Sequence, residues 1–262
     1  MEKLLHTILQ AAIEAGEAIM EVYMTDFDVE IKGDNSPLTI ADKKANTVIN
    51  KYLETTNIPI ISEENKQTDY SVRKSWDRCW IVDPLDGTKE FVKRNGEFTV
   101  NIALVENGSP ILGVIYVPVV RELYFTNAKG TSALKVTVGE KYTIEDLIKE
   151  AATISPDTSD ASIVKIVGSR SHLNDDTKKF ISEVEQKSPV EIVSKGSSLK
   201  FCLVAEGKAN LYPRYAPTME WDTAAGQAIC NAVGVKVIDN TTQEALQYNK
   251  ENLLNNYFLV TL

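Results

Sequence analysis

The sequence predicts a mixed α/β fold, of the α+β kind, built from two packed lobes. Two amphipathic helical patterns open the chain, a run of short strands follows them, and strands then alternate with helices. The length of 262 residues is long for one compact core and suits two packed lobes or one large α/β unit. We place the boundary within 140–160, which gives lobes of residues 1–150 and 151–262.

The first lobe is predicted to contain two helices and an antiparallel meander. Apolar residues recur at helical spacing over 3–24 and again from Ala41 to about Leu53. Asn107-Gly108 is a strong hairpin signal between two apolar runs. The strands predicted in this lobe are 58–61, 79–82, 98–106, 111–117, 121–126 and 134–138.

The second lobe is predicted to alternate strands with helices, which is typical of an α/β unit. Its polar opening segment covers 155–160. The predicted strands are 163–167, 190–194, 209–212, 235–238 and 257–262. The predicted helices are 174–187, 198–206 and 222–233.

The composition is that of an ordinary globular protein with an acidic surface. Hydrophobic residues make up 43% of the chain and charged residues 25%, and the formal net charge is -9. Such a charge disfavours non-specific binding to nucleic acid or to anionic membranes. An anionic substrate would therefore need cations gathered at its own site.

The sequence favours a cytoplasmic protein. Three separated cysteines, Cys79, Cys202 and Cys230, form no C-x-x-C pattern and are expected to be buried reduced thiols. The N-terminus lacks the form of a signal peptide, and no apolar run reaches the length of a membrane span. Peripheral association with the inner membrane and the choice between monomer and homodimer stay open.

Four acidic residues occupy positions that predict a metal site. Glu63 and Asp83 each follow a short buried strand, Asp86 comes three residues later, and Asp222 opens a helix. If the strands are neighbours, the carboxylates converge, and each pair at about 4 Å repels by roughly 4 kcal/mol. Either some carboxylates stay protonated or a cation lies between them. Oxygen ligands without histidine or thiolate indicate Mg²⁺.

The turn from Asp83 to Thr88 is suited to bind both metal and phosphate. Pro84 stiffens the turn, so that the Leu85 carbonyl can point inward as a further oxygen ligand. Gly87 permits close approach of the backbone, and the Gly87 and Thr88 amides can bind a phosphate oxygen. This arrangement is suited to two-metal phosphoryl transfer.

The attacking water in such a reaction also needs a proton acceptor. Thr88 can orient the water, and Asp42 is the candidate carboxylate to accept the proton through it. Simpler interpretations exist for each motif taken alone. Asp-Pro and Asp-Gly are common in plain turns, Glu63-Glu64 suits a solvated surface, and Asp222 suits a helix N-cap. The joint pattern favours the metal site.

These motifs resemble those of the inositol monophosphatase superfamily. The resemblance rests on Asp83-Pro84-Leu85-Asp86-Gly87-Thr88, with Ser62-Glu63-Glu64 before it and Trp221-Asp222-Thr223-Ala224-Ala225 after it, and covers essentially the whole chain. It implies a lithium-sensitive, Mg²⁺-dependent phosphatase with a layered α/β/α/β/α sugar-phosphatase fold. It also implies two or three Mg²⁺ ions, held by Glu63, Asp83, Asp86, Asp222 and the Leu85 carbonyl, and a water-activating pair of Asp42 and Thr88.

A narrower resemblance concerns the 3'(2'),5'-bisphosphate nucleotidase branch of that superfamily. It rests on Gly168-Ser169-Arg170-Ser171-His172, on 196–201, and on Tyr212-Pro213-Arg214. It implies hydrolysis of adenosine 3',5'-bisphosphate to AMP and phosphate, which clears a by-product of sulfate assimilation. Residues 1–150 are then the metal-binding lobe and 151–262 the substrate-binding lobe. The predicted substrate contacts are Glu63, Leu85, Asp86, Gly87, Thr88, Ser169, Lys195, Ser197, Lys200, Arg214 and Asp222.

Two other functions are compatible with parts of the pattern. An inositol or sugar-phosphate monophosphatase would use the same metal chemistry without a second phosphate. A catalytically inactive protein that senses a nucleotide or a metal belongs to a different class, and its mark would be the loss of a ligand or of the Asp42–Thr88 pair. Met219-Glu220, directly before Trp221, leaves the exact wall of the pocket open.

Overall fold

The computed structural model describes residues 1–25, 37–159, 162–168 and 174–262. The helices of this part are α1 Glu2–Tyr23, α2 Pro37–Leu53, α3 Tyr70–Arg73, α4 Thr88–Val92, α5 Ile144–Glu150, α6 Asp175–Glu185, α7 Leu199–Ala205 and α8 Ala224–Ala232. The first seven strands are β1 Ile60–Ser62, β2 Arg78–Asp86, β3 Thr99–Glu106, β4 Ser109–Val117, β5 Glu122–Thr126, β6 Ala133–Thr137 and β7 Ala152–Ile154. The others are β8 Val164–Gly168, β9 Val190–Ser194, β10 Tyr212–Arg214, β11 Lys236–Asp239 and β12 Phe258–Thr261.

Strands β1 to β7 form one sheet in chain order. β1 runs parallel to β2, and every later neighbour is antiparallel, so the predicted meander is confirmed. Alternate side chains of this sheet enter two separate apolar cores. In β2, Trp80 and Val82 pack with α1 and α2, whereas Cys79 and Ile81 pack with residues of α7 and α8. The sheet is therefore covered on both faces, in keeping with the burial of every residue of β3 before Glu106.

The predicted layers are present. Helices α1 and α2 cover one face of the large sheet, and α7 and α8 cover the other. Behind them lies a three-stranded sheet in the order β10-β12-β11, with the parallel pair β8–β9 beside β10. Helix α6 packs outside, on β9 and β10. This α/β/α/β/α arrangement confirms the predicted fold class.

Helix α8 approaches the large sheet closely, and Gly113 of β4 makes this approach possible. A Cβ atom added to Gly113 would lie 2.6 Å from the Ala225 carbonyl oxygen and 2.7 Å from Ala228 Cβ. Those distances are shorter than van der Waals contact, so a larger residue would push the helix outward. Because α8 begins two residues after Asp222, this contact brings Asp222 towards the sheet.

The strand predicted at 209–212 was misplaced, since β10 covers Tyr212–Arg214. Residues 209–211 follow the edge of β8 instead: the Asn210 and Leu211 amides donate to the Lys165 carbonyl, and the Val167 amide donates to the Leu211 carbonyl.

Helices α3, α4 and α5 were missed because four to seven residues are too few to show a helical period. Strand β7 was missed as well. The division at residue 150 stays a prediction.

All three cysteines are buried and unpaired, as predicted. Across the described ranges, no helix combines the length and the apolar character that crossing a bilayer requires.

Candidate active site

Two neighbouring strand ends place the first acidic residues. Ser62 of β1 is in register with Val82 of β2, and the strands are parallel, so both end at the same edge of the sheet. The Glu63 amide continues the pairing by donating to the Val82 carbonyl at 3.2 Å. Asp83, which is almost fully buried, follows Val82 directly. The sequence argument that these carboxylates converge is thus confirmed for the strand ends.

A bulge in β2 brings Asp86 to the same side as Asp83. Asp83 pairs with Asn101 of β3, and Asp86 pairs with Thr99, so three steps along β2 match two along β3. In a regular strand, residues three apart point to opposite faces, and one extra residue reverses that relation. Pro84 and Leu85 form the bulge, and the Leu85 amide donates to Asp83 Oδ1 at 3.0 Å.

A polar network from β3 and from residues 197–198 fixes the Asp86 carboxylate. Its Oδ2 accepts from the Ser197 hydroxyl at 2.5 Å, from the Ser198 amide at 2.7 Å and from Asn101 Nδ2 at 3.4 Å. The buried Thr99 hydroxyl lies 2.6 Å from Ser197 Oγ and 2.8 Å from Ser198 Oγ. Asp86 is therefore held by donors from two segments that are distant in the chain.

Asp222 completes the cluster from the far side of the chain. It ends a 3₁₀ turn at Glu220–Asp222, and its Oδ2 accepts from the Met219 amide at 2.8 Å. Carboxylate oxygens of Asp83, Asp86 and Asp222 all lie within 4.8 Å of one another. Glu63 lies at the exposed rim beside them and interacts with Asp83 through a side-chain hydrogen bond.

The electrostatics of the cluster favour a bound cation. Burial, and then the charge of Asp86, raise the pKa of Asp83 well above its ordinary range and that of Asp222 to about 7. Reduced hydration, and then the charge of Glu64, raise the pKa of Glu63. A cation between the groups would reverse these shifts, and an all-oxygen donor set fits a hard ion such as Mg²⁺.

The predicted water-activating residues are Asp42, whose charge acts on Asp83, and Thr88, which follows Asp86 by two residues in the chain. Asp42 lies on α2, one turn before Asn46, whose Oδ1 accepts from the Ser62 hydroxyl at 2.8 Å. Burial, and then the charges of Glu64 and Glu63, raise the pKa of Asp42 to about 8. Its buried Oδ1 has no hydrogen-bond partner among the described residues. Thr88 begins α4 with an exposed side chain.

A cleft of about 440 Å³ opens beside the cluster. Asp86 and Asp222 line one side of it, together with Gly87, whose φ of +101° suits glycine. Its other walls carry cations, and those that line it are Lys89, Lys93, Lys195, Lys200 and Arg214. The cleft therefore joins a carboxylate cluster to a strongly cationic pocket in one space.

The cations of the cleft differ in how tightly they are held. Lys200 is 7% exposed, its ammonium donates to the Ser197 carbonyl at 2.8 Å, and burial lowers its pKa to about 8. Arg214 donates to the Pro217 carbonyl at 3.1 Å, and its buried Nε has no hydrogen-bond partner in the described part of the chain. Lys195 is half-exposed and forms an ion pair of 3.3 Å with Glu97.

The predicted substrate residues fall into three groups. Glu63, Leu85 and Thr88 are not among the residues that line the cleft. Lys195, Ser197, Lys200 and Arg214 lie together in the cleft with Asp86, Gly87 and Asp222. Ser169 lies outside the described residues. Met219 packs against the core, and the Glu220 carboxylate binds residues 249 and 250, so neither lines the cleft.

Sequence reasoning missed several polar residues of the site. Thr99 and Asn101 are buried on one face of β3, and a signal was present: two polar residues at i and i+2 in an otherwise apolar strand. Lys89 and Lys93 were missed together with α4, which is too short to show a period. The Ser198 amide and hydroxyl had been assigned only to the start of a helix.

The chain has full-length relatives among known proteins. The chain is 46% identical to the 3'(2'),5'-bisphosphate nucleotidase CysQ of Salmonella typhimurium strain LT2, over 99% of this chain and 100% of the relative. The corresponding Escherichia coli K12 protein is 44% identical over the same shares of the two chains.

Solved structures share the fold. The crystal structure of CysQ from Bacteroides thetaiotaomicron, a bacterial member of the inositol monophosphatase family, has a TM-score of 0.90 at 51% identity, covering 97% of this chain and 95% of that one. An inositol monophosphatase from Zymomonas mobilis shares the fold with a TM-score of 0.76 at 20% identity, covering 99% of this chain and 92% of that one. The family model described as "Inositol monophosphatase family" matches residues 1–259, and the chain belongs to this family.

Proposed function

We propose that the chain is a Mg²⁺-dependent phosphatase that hydrolyses the 3'-phosphate of adenosine 3',5'-bisphosphate to give AMP and phosphate. One observation carries the proposal: the same cleft is lined by the carboxylates of Asp86 and Asp222 and by the cations of Lys200 and Arg214. A bisphosphate needs both, because one phosphate is at the metal site and the other needs positive charge. The names of the full-length relatives support this substrate.

Two or three Mg²⁺ ions are proposed as the cofactor. Glu63, Asp83, Asp86, Asp222 and the Leu85 carbonyl would hold them. When bound, Mg²⁺ supplies positive charge to the phosphate and lowers the pKa of a water molecule. The hydrogen bonds on Asp86 Oδ2 from Ser197, Ser198 and Asn101 keep that carboxylate fixed, which preserves the ligand geometry during the reaction.

Thr88 and Asp42 are proposed to handle the proton of the attacking water. The Thr88 hydroxyl orients the water, and Asp42 accepts the proton through that hydroxyl. A pKa of about 8 would leave Asp42 protonated at neutral pH. A cation held by the neighbouring carboxylates would lower that pKa, so Asp42 would be ionised, and able to accept the proton, only in the loaded site.

The second phosphate is proposed to lie among the cations of the substrate lobe. Arg214 has donors to spare, since its Nε is buried and unpartnered among the residues described. The charge of Arg214 acts on the Lys200 ammonium, and Gly87 and Ser197 line the same cleft. Lys195, Lys89 and Ser169 are proposed as further contacts of the substrate.

Several wider properties are also proposed. The enzyme is expected in the cytoplasm, as a monomer or homodimer, with no nucleic acid as partner. Li⁺ is expected to inhibit it, as the family resemblance implies. The alternatives are an inositol or sugar-phosphate monophosphatase with the same metal site, and an inactive nucleotide- or metal-sensing protein.

A phosphate-release assay tests the proposal. Malachite green detection with Mg²⁺ should give a much larger kcat/KM for adenosine 3',5'-bisphosphate than for inositol 1-phosphate. The reverse preference would contradict the nucleotide assignment and favour the inositol enzyme. Absence of phosphate release from both esters would favour the binding protein.

A further inference from the structure

A buried arginine connects two parts of the chain that flank the metal site. Arg73, at the end of α3, is 3% exposed. Its Nε donates to the Thr68 carbonyl at 2.9 Å, in the segment that follows Glu63. Its Nη1 donates to Asn249 Oδ1 at 2.8 Å and to the Lys250 carbonyl at 3.0 Å, and Nη2 reaches the Glu251 carbonyl at 3.3 Å. One guanidinium therefore joins the loop after β1 to residues 249–251.

The same three-residue loop binds a second buried charge. Glu220 is fully buried, and its carboxylate accepts from the Asn249 amide at 2.6 Å and from the Lys250 amide at 3.0 Å. The Lys250 ammonium adds an ion pair of 2.7 Å. The loop is thus held between the Arg73 guanidinium on one side and the Glu220 carboxylate on the other.

Glu220 belongs to the 3₁₀ turn that ends at Asp222. The turn is fixed at its start as well, since the Glu220 amide donates to the Leu253 carbonyl at 2.9 Å and Asn255 Nδ2 donates to the Met219 carbonyl at 2.8 Å. The contacts of Asp222 itself come from the turn and from the cluster. Its position therefore depends on where residues 249–255 hold the turn.

We infer that Arg73 and Glu220 are positioning residues that set the place of Asp222 relative to Glu63 and Asp83. The inference rests on the proposed Mg²⁺ site. Neither residue lines the cleft, so both act through the loop 249–251. Outer-shell partners of this kind orient the ligands of a metal, and their loss weakens its binding.

The test compares Mg²⁺ binding in variants that weaken the contacts of the loop 249–251 with Arg73 or with Glu220. Arg73→Lys keeps the charge but loses the forked donors, and Glu220→Gln keeps the shape but loses one acceptor. Asn249→Gly removes the side-chain contact with Arg73 and keeps the backbone unstrained, because Asn249 has a φ of +59°. Calorimetric titration with Mg²⁺ alone, without substrate, gives the dissociation constant, and the melting temperature in EDTA reports folding.

We expect each variant to raise the Mg²⁺ dissociation constant about tenfold or more. The double variant Arg73→Lys/Glu220→Gln should lose less than the sum of the two single effects, because both changes release the same loop. Arg78→Lys is the matched control: Arg78 is exposed and pairs with Glu106 at the start of β2, so its Mg²⁺ affinity should equal that of the wild type.

The outcomes distinguish failure of the positioning role from failure of the proposed Mg²⁺ site itself. Mg²⁺ constants within twofold of the wild type in the folded variants would overturn the positioning role, even if melting temperatures fell. If Arg73→Lys or Glu220→Gln does not fold in EDTA, the conclusion is drawn from Asn249→Gly, which leaves both buried charges in place. A wild-type protein that binds no Mg²⁺ would contradict the proposed function first, and the positioning role with it.

Discussion

The carboxylate cluster and the cationic part of the cleft are built in opposite ways. The centre of the cluster is one bulged strand end, where Asp83 and Asp86 are separated by two residues, and Asp222 joins it from a distant turn. The cations have no such local centre: they come from α4, from the 195–200 segment and from β10, and Arg214 keeps an unused donor. The cluster therefore combines local geometry with one distant ligand, whereas the cationic part is assembled entirely from distant segments.

The largest effect on activity is expected at Asp83, in the carboxylate cluster. Asp83→Asn keeps the bond from the Leu85 amide but removes a charge from the cluster. We expect kcat with adenosine 3',5'-bisphosphate to fall roughly 10³-fold or more, which corresponds to about 4 kcal/mol. The melting temperature in EDTA should stay the same or rise, because like charges repel. Asp77→Asn, an exposed change just before β2, should leave both quantities unaltered.

Full activity in Asp83→Asn would refute the metal assignment. Loss of activity together with loss of folding in EDTA would show that Asp83 stabilises the strand end and is not simply a ligand.

Arg214 should show a different kind of effect. Arg214→Met removes a guanidinium from the cleft, and hydrogen bonds to charged groups contribute about 1.5–3 kcal/mol. We expect kcat/KM for adenosine 3',5'-bisphosphate to fall about 30-fold, mostly through KM. Activity on adenosine 3'-monophosphate should change little, since this ester lacks the second phosphate.

Steady-state kinetics with both esters measures this split. Lys165→Met, an exposed change on β8, is the control. If kcat/KM falls equally for the two esters, Arg214 supports the shape of the cleft and does not discriminate between the bisphosphate and the monophosphate.

Between pH 5 and pH 8 the cluster should also produce a pH-dependent stability to which the cations contribute little, since Lys200, with a pKa of about 8, loses its proton mostly above this range. Burial raises the pKa of Asp42 to about 8 and that of Asp222 to about 7. From about pH 4 to pH 8 the folded protein binds protons that the unfolded chain has lost, so stability falls as pH rises. In EDTA we expect the melting temperature to drop by about 5 °C between pH 5 and pH 8, equivalent to roughly 2 kcal/mol.

Mg²⁺ should remove most of that slope, because a bound cation favours the ionised carboxylates. Differential scanning fluorimetry across this pH range, with EDTA or with saturating Mg²⁺, provides the measurement. Asp42→Asn should flatten the curve in EDTA. A melting temperature that is constant or increases with pH in EDTA would contradict the proposed carboxylate cluster.

The smallest effect is expected at Lys89. Its side chain is exposed on α4 and lines the cleft, so water screens its charge. Lys89→Met should raise KM for the bisphosphate about threefold at low salt, an effect of roughly 0.7 kcal/mol. The difference from wild type should vanish at high salt. If Lys89→Met weakens activity on the bisphosphate as much as Arg214→Met does, Lys89 contributes as much as Arg214 to binding of the second phosphate.

The residues whose roles follow from their neighbours in the chain could be predicted directly, whereas Lys200 and Arg214, which also line the cleft, were predicted through the narrower resemblance. Asp83, Asp86, Gly87 and Thr88 are adjacent in the chain, and their turn chemistry is visible in the residues themselves. The strand ends before Glu63 and Asp83 were also visible, and the parallel pairing of β1 and β2 confirmed their convergence.

The parts that sequence did not predict depend on tertiary packing. The donation from the Ser198 amide to Asp86 joins residues that are 112 positions apart in the chain. The connection from Arg73 to Glu220 spans most of the chain, and nothing near Arg73 indicates a buried guanidinium. The start of β10 was misplaced because residues 209–211 follow β8, a contact that local propensity does not encode.

The central claim is that one cleft joins metal chemistry to selection of a second phosphate. The most direct measurement is the ratio of kcat/KM for adenosine 3',5'-bisphosphate to that for adenosine 3'-monophosphate, in the wild type and in Arg214→Met at saturating Mg²⁺. We predict a ratio well above one in the wild type that collapses by about tenfold or more in the variant. A wild-type ratio near one, or a ratio unchanged by Arg214→Met, would contradict the claim.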